Sequence, residues 1–125
     1  MQKVKFQAGE MIFAEGDPSD HCYKIVSGKV EINLDVPGMM ARGRKETVAT
    51  CGPGEVIGEM SVIESGARSA SAVAVEPTIC NAYTAQEILH ALETNPQEAI
   101  AYIKTLIRRI RETNRRVSWN AGHRL

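Results

Sequence analysis

Val30, Ile32, Leu34 and Val36 alternate with Lys29, Glu31, Asn33 and Asp35. A period of two puts the apolar set on one face and the polar set on the other, which predicts a half-buried strand. Pro37-Gly38 breaks the pattern, and the run to about Glu46 reads as an exposed loop. A second strand near Thr47–Cys51 completes a hairpin. Gly52-Pro53-Gly54 then punctuates the chain. Two further strands, Ala70–Glu76 and Thr78–Tyr83, are separated near Pro77. Ala70, Ala72 and Ala74 put small side chains on one face of the first, either to leave room for a ligand or to pack sheets tightly. Short strands at this spacing suggest a β-barrel or jelly roll.

The pattern changes to helical at Thr84. Thr84-Ala85-Gln86-Glu87 fits a capping box, predicting a helix to about Glu93. Asn95-Pro96-Gln97-Glu98 opens a second helix, with Asn as the cap, Pro in the first turn and Glu two residues later. This helix is expected to reach about Val117. Ile100, Ile103, Ile107, Ile110 and Val117 follow 3-4 spacing, with Asn114 in the remaining slot. One polar residue in such a seam is a device for fixing a coiled-coil dimer. Ala99, Leu106 and Thr113 widen the stripe, and Lys104 and Arg111 lack acidic partners at the opposite flank. A wide stripe favours a helix packed on its own core. The expectation is a monomer or a weak homodimer through this helix.

Composition narrows the class. A chain of 125 residues is long enough for a real core and fits one domain. Net charge is zero overall but uneven. Residues 104–125 carry seven Lys/Arg against one acid, and residues 1–103 carry eight against fourteen, so the end is net +6 and the body net −6. A basic end can serve nucleic acid or a membrane surface, but a solvated or docked helix face is the favoured reading. No direct nucleic-acid contact and no membrane insertion are expected. Cys22, Cys51 and Cys80 have neither metal-type spacing nor the even count of a disulfide framework. They read as reduced thiols in a cytoplasmic protein. Met1-Gln2-Lys3-Val4-Lys5 leads straight into alternating residues and not into a signal peptide. No apolar run nears the roughly 20 residues of a membrane helix.

The chemistry is concentrated in residues 54–71, Gly-Glu-Val-Ile-Gly-Glu-Met-Ser-Val-Ile-Glu-Ser-Gly-Ala-Arg-Ser-Ala-Ser. Gly58 has no Cβ, so a ligand can approach its backbone. Glu59–Ile63 is long enough for one helical turn, whose free N–H groups attract an anion. Arg68 brings a permanent charge and a planar fork of donors that suits two phosphate oxygens at once. Glu59 would repel a phosphate, so its role is to accept a hydrogen bond from a ribose hydroxyl. One arginine and one carboxylate thus read the two ends of a ribose–cyclic phosphate.

This stretch resembles the phosphate-binding cassette of cyclic nucleotide-binding domains. In that family a Gly-Glu pair holds the ribose and an arginine about ten residues later holds the cyclic phosphate, here Gly58-Glu59 and Arg68. The N-terminal pattern Ala8-Gly9-Glu10-Met11-Ile12-Phe13-Ala14-Glu15-Gly16-Asp17 is similar too, as is a following strand, Tyr23–Ile32. The resemblance runs from about residue 4 to 118. It implies a mainly β fold, a β-roll or jelly-roll barrel with a short cassette helix and a C-terminal lid helix. The whole chain, 1–125, would then be one binding domain, with the barrel at 4–83, the cassette at 54–71, helices at 84–118 and a tail at 119–125. The ligand-binding residues it implies are Ile57, Gly58, Glu59, Met60, Ser61, Arg68, Ser69 and Ala70. In the family the C-terminal helix closes over the base and carries the signal. Arg109 falls where some ion-channel relatives place a base-contacting arginine, with Arg108 and Arg111 as alternatives and Trp119 as a stacking candidate. Ser69 after the arginine looks more like bacterial cAMP sensors, so cAMP is the expected ligand and cGMP the second. No cofactor is implied. Transcription regulators, kinases and channels of this family carry large attached parts. The chain is therefore either a free-standing sensor acting on a protein effector, or a piece of a protein with an attached effector domain.

The competing class is an enzyme on a similar β fold. His21, His90 and His123 are scattered and form no His-x-His pair, which argues against a metal site of the histidine-rich kind. No nucleophile–base arrangement emerges, so no catalytic residue is assigned. The other alternative is a cyclic-nucleotide-like fold serving as a ligand-free protein-interaction module. Glu59 and Arg68 argue against it.

Overall fold

The computed structural model describes residues 1–35 and 45–122, with side chains described as far as Arg115. The chain divides into two compact units, Met1–Ile88 and Leu89–Leu125.

Among the described residues, the first unit holds eight strands, one short helix and the start of a second helix. The strands are β1 (Gln2–Phe6), β2 (Met11–Phe13), β3 (His21–Ser27), β4 (Val30–Asp35), β5 (Lys45–Cys51), β6 (Val56–Ile57), β7 (Ser71–Ala74) and β8 (Thr78–Thr84), with α1 (Glu59–Ile63) between β6 and β7. They form two four-stranded sheets, in the orders β1-β8-β3-β6 and β2-β7-β4-β5. Every pairing is antiparallel. The core draws on both sheets. Ile25, Ile57 and Cys80 come from the first, and Val30, Cys51 and Ala72 from the second. This is the jelly-roll type of sandwich expected from the strand spacing.

The hairpin read from the alternation is present as β4 paired with β5, from Val30↔Cys51 to Asp35↔Lys45. Val36 and the Pro37-Gly38 break lie outside the described residues. Two strand readings need correction. The stretch Tyr23–Ile32 is two strands in different sheets. Gly28, at φ 103, turns the chain between them. A Cβ there would sit 2.6 Å from the Pro77 carbonyl oxygen and 2.7 Å from the Thr78 Cα, so only glycine fits. In β4, Asn33 lies on the face opposite Ile32 but is 8% exposed, not solvated. It pairs with Ser71, and the segment at Glu15 covers that face through a bond from the Glu15 N–H to Ser71 Oγ of 2.8 Å. Within the alanine row, Ala72 and Ala74 are fully buried and pack opposite Ile32 and Val30, whereas Ala70 precedes β7 and is partly buried. All three cysteines are free and buried.

The capping box is realised reciprocally. The Glu87 N–H donates to Thr84 Oγ1 at 3.2 Å, and the Thr84 N–H donates to Glu87 Oε1 at 3.1 Å, starting α2 (Ala85–Thr94). Asn95 Oδ1 accepts from the Glu98 N–H at 3.3 Å, and α3 (Pro96–Gly122) follows. It outruns the expected end near Val117 by five residues. Ile100, Ile103, Ile107 and Ile110 on α3 are exposed. No helix among the described residues is long and apolar enough to cross a membrane.

Candidate functional site

The cassette begins where β6 ends. Gly58 caps α1 in the left-handed region, at φ 77 and ψ 8. That conformation turns the chain from strand into helix within one residue. A Cβ on Gly58 would overlap Arg68 Nη1 and lie 3.0 Å from Phe13 Cε2. The glycine is therefore required by its dihedral angle and by the close approach of two side chains.

Arg68 is 4% exposed. Its Nη1 donates to the Gly58 carbonyl at 2.9 Å and more weakly to Ser61 Oγ at 3.4 Å, and its Nη2 donates to the His21 carbonyl at 2.5 Å. Ser61 Oγ in turn donates to the Gly58 carbonyl at 3.3 Å. The Arg68 Cζ lies 4.2 Å from the centroid of the Phe13 ring. Arg68 Nε is buried and has no hydrogen-bond partner among the described residues. Burial lowers the guanidinium pKa from its ordinary value, and nearby Tyr23 and Asp20 oppose that shift. An arginine starts so high that it stays charged.

The N-terminal pattern explains how Arg68 is held at the backbone. Ala14–Asp17 is a tight turn, with the Asp17 N–H on the Ala14 carbonyl at 3.1 Å and the Ala14 N–H on Asp17 Oδ2 at 3.3 Å. The turn grips Arg68 from both sides. The Gly16 N–H donates to the Arg68 carbonyl and the Arg68 N–H donates to the Asp17 carbonyl, each at 2.8 Å. Pro18 bridges to Ala67, and Ser19 Oγ donates to the Gly66 carbonyl at 2.6 Å. The segment that reads as a separate motif is thus the back wall of the cassette.

Glu59 is the first residue of α1 and is 2% exposed. Its carboxylate is felt at Cys22 in β3. The Cys22 thiol is pushed up to about 11, first by burial and then by the Glu59 charge. The remaining implied residues are less uniform. Ile57 is 3% exposed and belongs to the core cluster, whereas Met60 is 55% exposed. Ser69 is exposed and Ala70 partly buried.

Arg108, Arg109 and Arg111 all lie on α3, in the second unit. Arg108 and Arg111 share one face with Lys104, Ile107 and Arg115. The side chain of Trp119 and all of His123 lie outside the described residues. No cluster of three or more His, Cys, Asp or Glu side chains that could hold a metal occurs among the described residues.

Sequence reasoning missed three contributors to this site. Phe13 lies inside the N-terminal pattern, with no signal that sets it apart from its neighbours. His21 contributes only its carbonyl, which no side-chain signal reports. Asp17 belongs to the same N-terminal pattern, but nothing in its spacing points ahead to Arg68.

The model of the cyclic nucleotide-binding domain matches residues 3–95. The Cyclic AMP receptor protein of Thermus thermophilus is 38% identical over 113 residues, which is 90% of this chain and 50% of that protein. The CRP-like cAMP-activated global transcriptional regulator of Mycobacterium tuberculosis is 32% identical over 114 residues, covering 91% of this chain and 49% of that one. The crystal structure of the Thermus thermophilus catabolite activator protein superposes with a TM-score of 0.82 at 36% identity, over 96% of this chain and 55% of that one. The chain spans about half the length of the curated relatives it matches. A domain match over most of the chain, on a jelly roll whose glycine, glutamate and arginine meet at one short helix, makes this chain a member of the cyclic nucleotide-binding domain family.

Proposed function

We propose that this chain binds a 3′,5′-cyclic nucleotide, cAMP in preference to cGMP, and acts as a regulatory sensor that does not turn its ligand over. The observation that carries this reading is Arg68, a buried cation whose two outer nitrogens meet neutral carbonyls at the start of α1. A cyclic phosphate offers charged acceptors in their place. Charge-assisted bonds are roughly twice as strong as neutral ones, so the exchange favours the ligand. Backbone N–H groups at the start of α1, from Glu59 to Ser61, add donors for the phosphate. Glu59 accepts from the ribose hydroxyl. Ser69 and Ala70 complete the wall on the phosphate side, and Met60 and Ile57 flank the cassette.

The names of the relatives support cAMP as the ligand. Binding is read out by movement of α3, with Arg109, or Arg108 or Arg111 in its place, meeting the base. For this to be a switch, the ligand must bind two placements of α3 with different affinity. The output passes to a protein effector or an attached effector domain.

The test is isothermal titration of the purified chain with cAMP and, separately, cGMP, with Arg68→Ala as control. Saturable binding without hydrolysis is expected, and the variant should lose about 1.5–3 kcal/mol of binding energy, the range for a hydrogen bond to a charged group. Absence of heat and of thermal stabilisation with both nucleotides, from a folded sample, would leave an interaction module as the better account.

A further inference from the structure

We infer that Phe13 is a positioning residue of the anion site, acting as the platform that holds the Arg68 guanidinium in the plane from which it takes a cyclic phosphate. The inference rests on the binding function proposed above and assigns a role within it.

The geometry has three parts. The Phe13 ring lies under the guanidinium, 4.2 Å from Cζ to the centroid. The same ring edge faces Gly58, since a Cβ built there would meet Phe13 Cε2 at 3.0 Å and Cζ at 3.3 Å. One side chain thus lies against the cation that closes the cassette and occupies the space beside the turn that opens it. The ring is itself backed by other rings. Tyr23 stacks on Phe13 at 6.3 Å with an interplanar angle of 24°, and Phe6 meets Tyr23 edge-on at 6.0 Å and 79°.

The backbone aims this ring. Phe13 ends β2 and pairs with Ala72, and the register of β2 on β7 shifts between Met11 and Phe13. Such an irregularity redirects a side chain relative to a regular strand.

The chemistry explains why an aromatic ring suits the place. Arg68 Nε has no hydrogen-bond partner among the described residues, so two carbonyl bonds, a weaker one to Ser61 Oγ and the ring fix the guanidinium. Phosphate oxygens compete for the same outer nitrogens that now serve the carbonyls of Gly58 and His21. The ring face attracts the cation without accepting any of its N–H bonds in the plane. It is therefore the contact that can persist while the in-plane acceptors are exchanged. A leucine of similar bulk fills the space but offers no such face.

The experiment measures cAMP affinity by titration calorimetry for the wild-type chain, Phe13→Leu and Phe13→Tyr, with thermal unfolding of each without nucleotide. Alongside, the Arg68 Nε–Hε resonance is followed by NMR in wild type and Phe13→Leu. Phe13→Leu should weaken binding about 2- to 30-fold, the range of a cation–π contact, and shift the Nε–Hε resonance by loss of the ring current. Phe13→Tyr, which keeps the ring, should restore affinity to within about twofold. Wild-type binding with unchanged affinity in a folded Phe13→Leu chain overturns the role of Phe13 and leaves the site reading standing. Loss in both variants, in proportion to their loss of thermal stability, also overturns it, because that is the behaviour of a packing residue. No binding by the wild-type chain overturns the site reading itself, and the inference with it.

Discussion

Arg68 Nη1 donates to the Gly58 carbonyl at 2.9 Å, and it does so through the space that a Cβ on Gly58 would fill. The two residues are ten apart in sequence. The arginine can be buried because the glycine is bare, and the glycine's turn is held because the arginine bonds its carbonyl. Neither residue is placed by its own neighbours alone. The pair makes the cassette one structural unit and not a loop with a charge nearby.

Gly58→Ala breaks that relationship in two ways. The alanine must adopt φ 77, which costs about 1–2 kcal/mol for a residue with a Cβ. Its methyl also displaces the Arg68 guanidinium. The variant should unfold at a lower temperature and bind cAMP more than tenfold more weakly. Calorimetric unfolding and titration check the two effects separately. Wild-type affinity in the variant would show that Arg68 takes its ligand from another position.

Glu59 makes a different claim, because its proposed partner is a hydroxyl and not a charge. Comparing cAMP with 2′-deoxy-cAMP isolates that contact. In the wild-type chain the deoxy ligand should bind about 1.5–3 kcal/mol more weakly, the range for a hydrogen bond to a charged group. In Glu59→Ala the difference between the two ligands should disappear. A persistent difference would move the ribose contact to another residue.

The hairpin of β4 and β5, the short helix at Glu59–Ile63 and the reciprocal cap of α2 were all legible in the sequence. Each depends on residues close in sequence, whose periodicity or cap chemistry is local. The order of Gly58, Glu59 and Arg68 was legible for the same reason, and the structure bonds Arg68 to the Gly58 carbonyl. The strand pair β3 and β4 was not separated, because Gly28 looks like any strand glycine until Pro77 and Thr78 are brought against it. The burial of Asn33 depends on the segment at Glu15 crossing the outer face. Phe13 under Arg68 depends on the pairing of β2 with β7. All three are long-range facts, set by which strands become neighbours.

The cap of α2 yields a prediction about folding alone. Thr84 ends β8 and begins the helix, and its hydroxyl meets the Glu87 N–H while its own N–H meets Glu87 Oε1. Thr84→Ala should cost about 1 kcal/mol, with Thr84→Ser nearly neutral. Denaturant unfolding with an unchanged m-value checks this. Affinity for cAMP should stay within about twofold of wild type, since the cap touches none of the proposed ligand residues.

Alkaline pH should weaken the fold through its buried thiols. Cys80 is fully buried, and burial pushes its thiol up to about 11, against 9.0 in an unperturbed chain. Cys22 is likewise raised to about 11 by burial and by the Glu59 charge. For each thiol the unfolded chain loses its proton first as pH rises. The folded state then holds more protons than the unfolded one, and stability must fall with pH. The contribution is fully present below pH 9 and is lost between about 9 and 11, at most about 3 kcal/mol per thiol. Lysines and tyrosines titrate over the same range, so the readout is a difference. Urea unfolding of the wild-type chain and of Cys80→Ala should be compared at pH 8 and at pH 10.5. The alanine variant is less stable at pH 8 for want of the buried sulfur, but its stability should decline less steeply. Equal slopes would mean that the Cys80 thiol titrates alike in the folded and unfolded chains, and that burial in this jelly roll does not hold its proton.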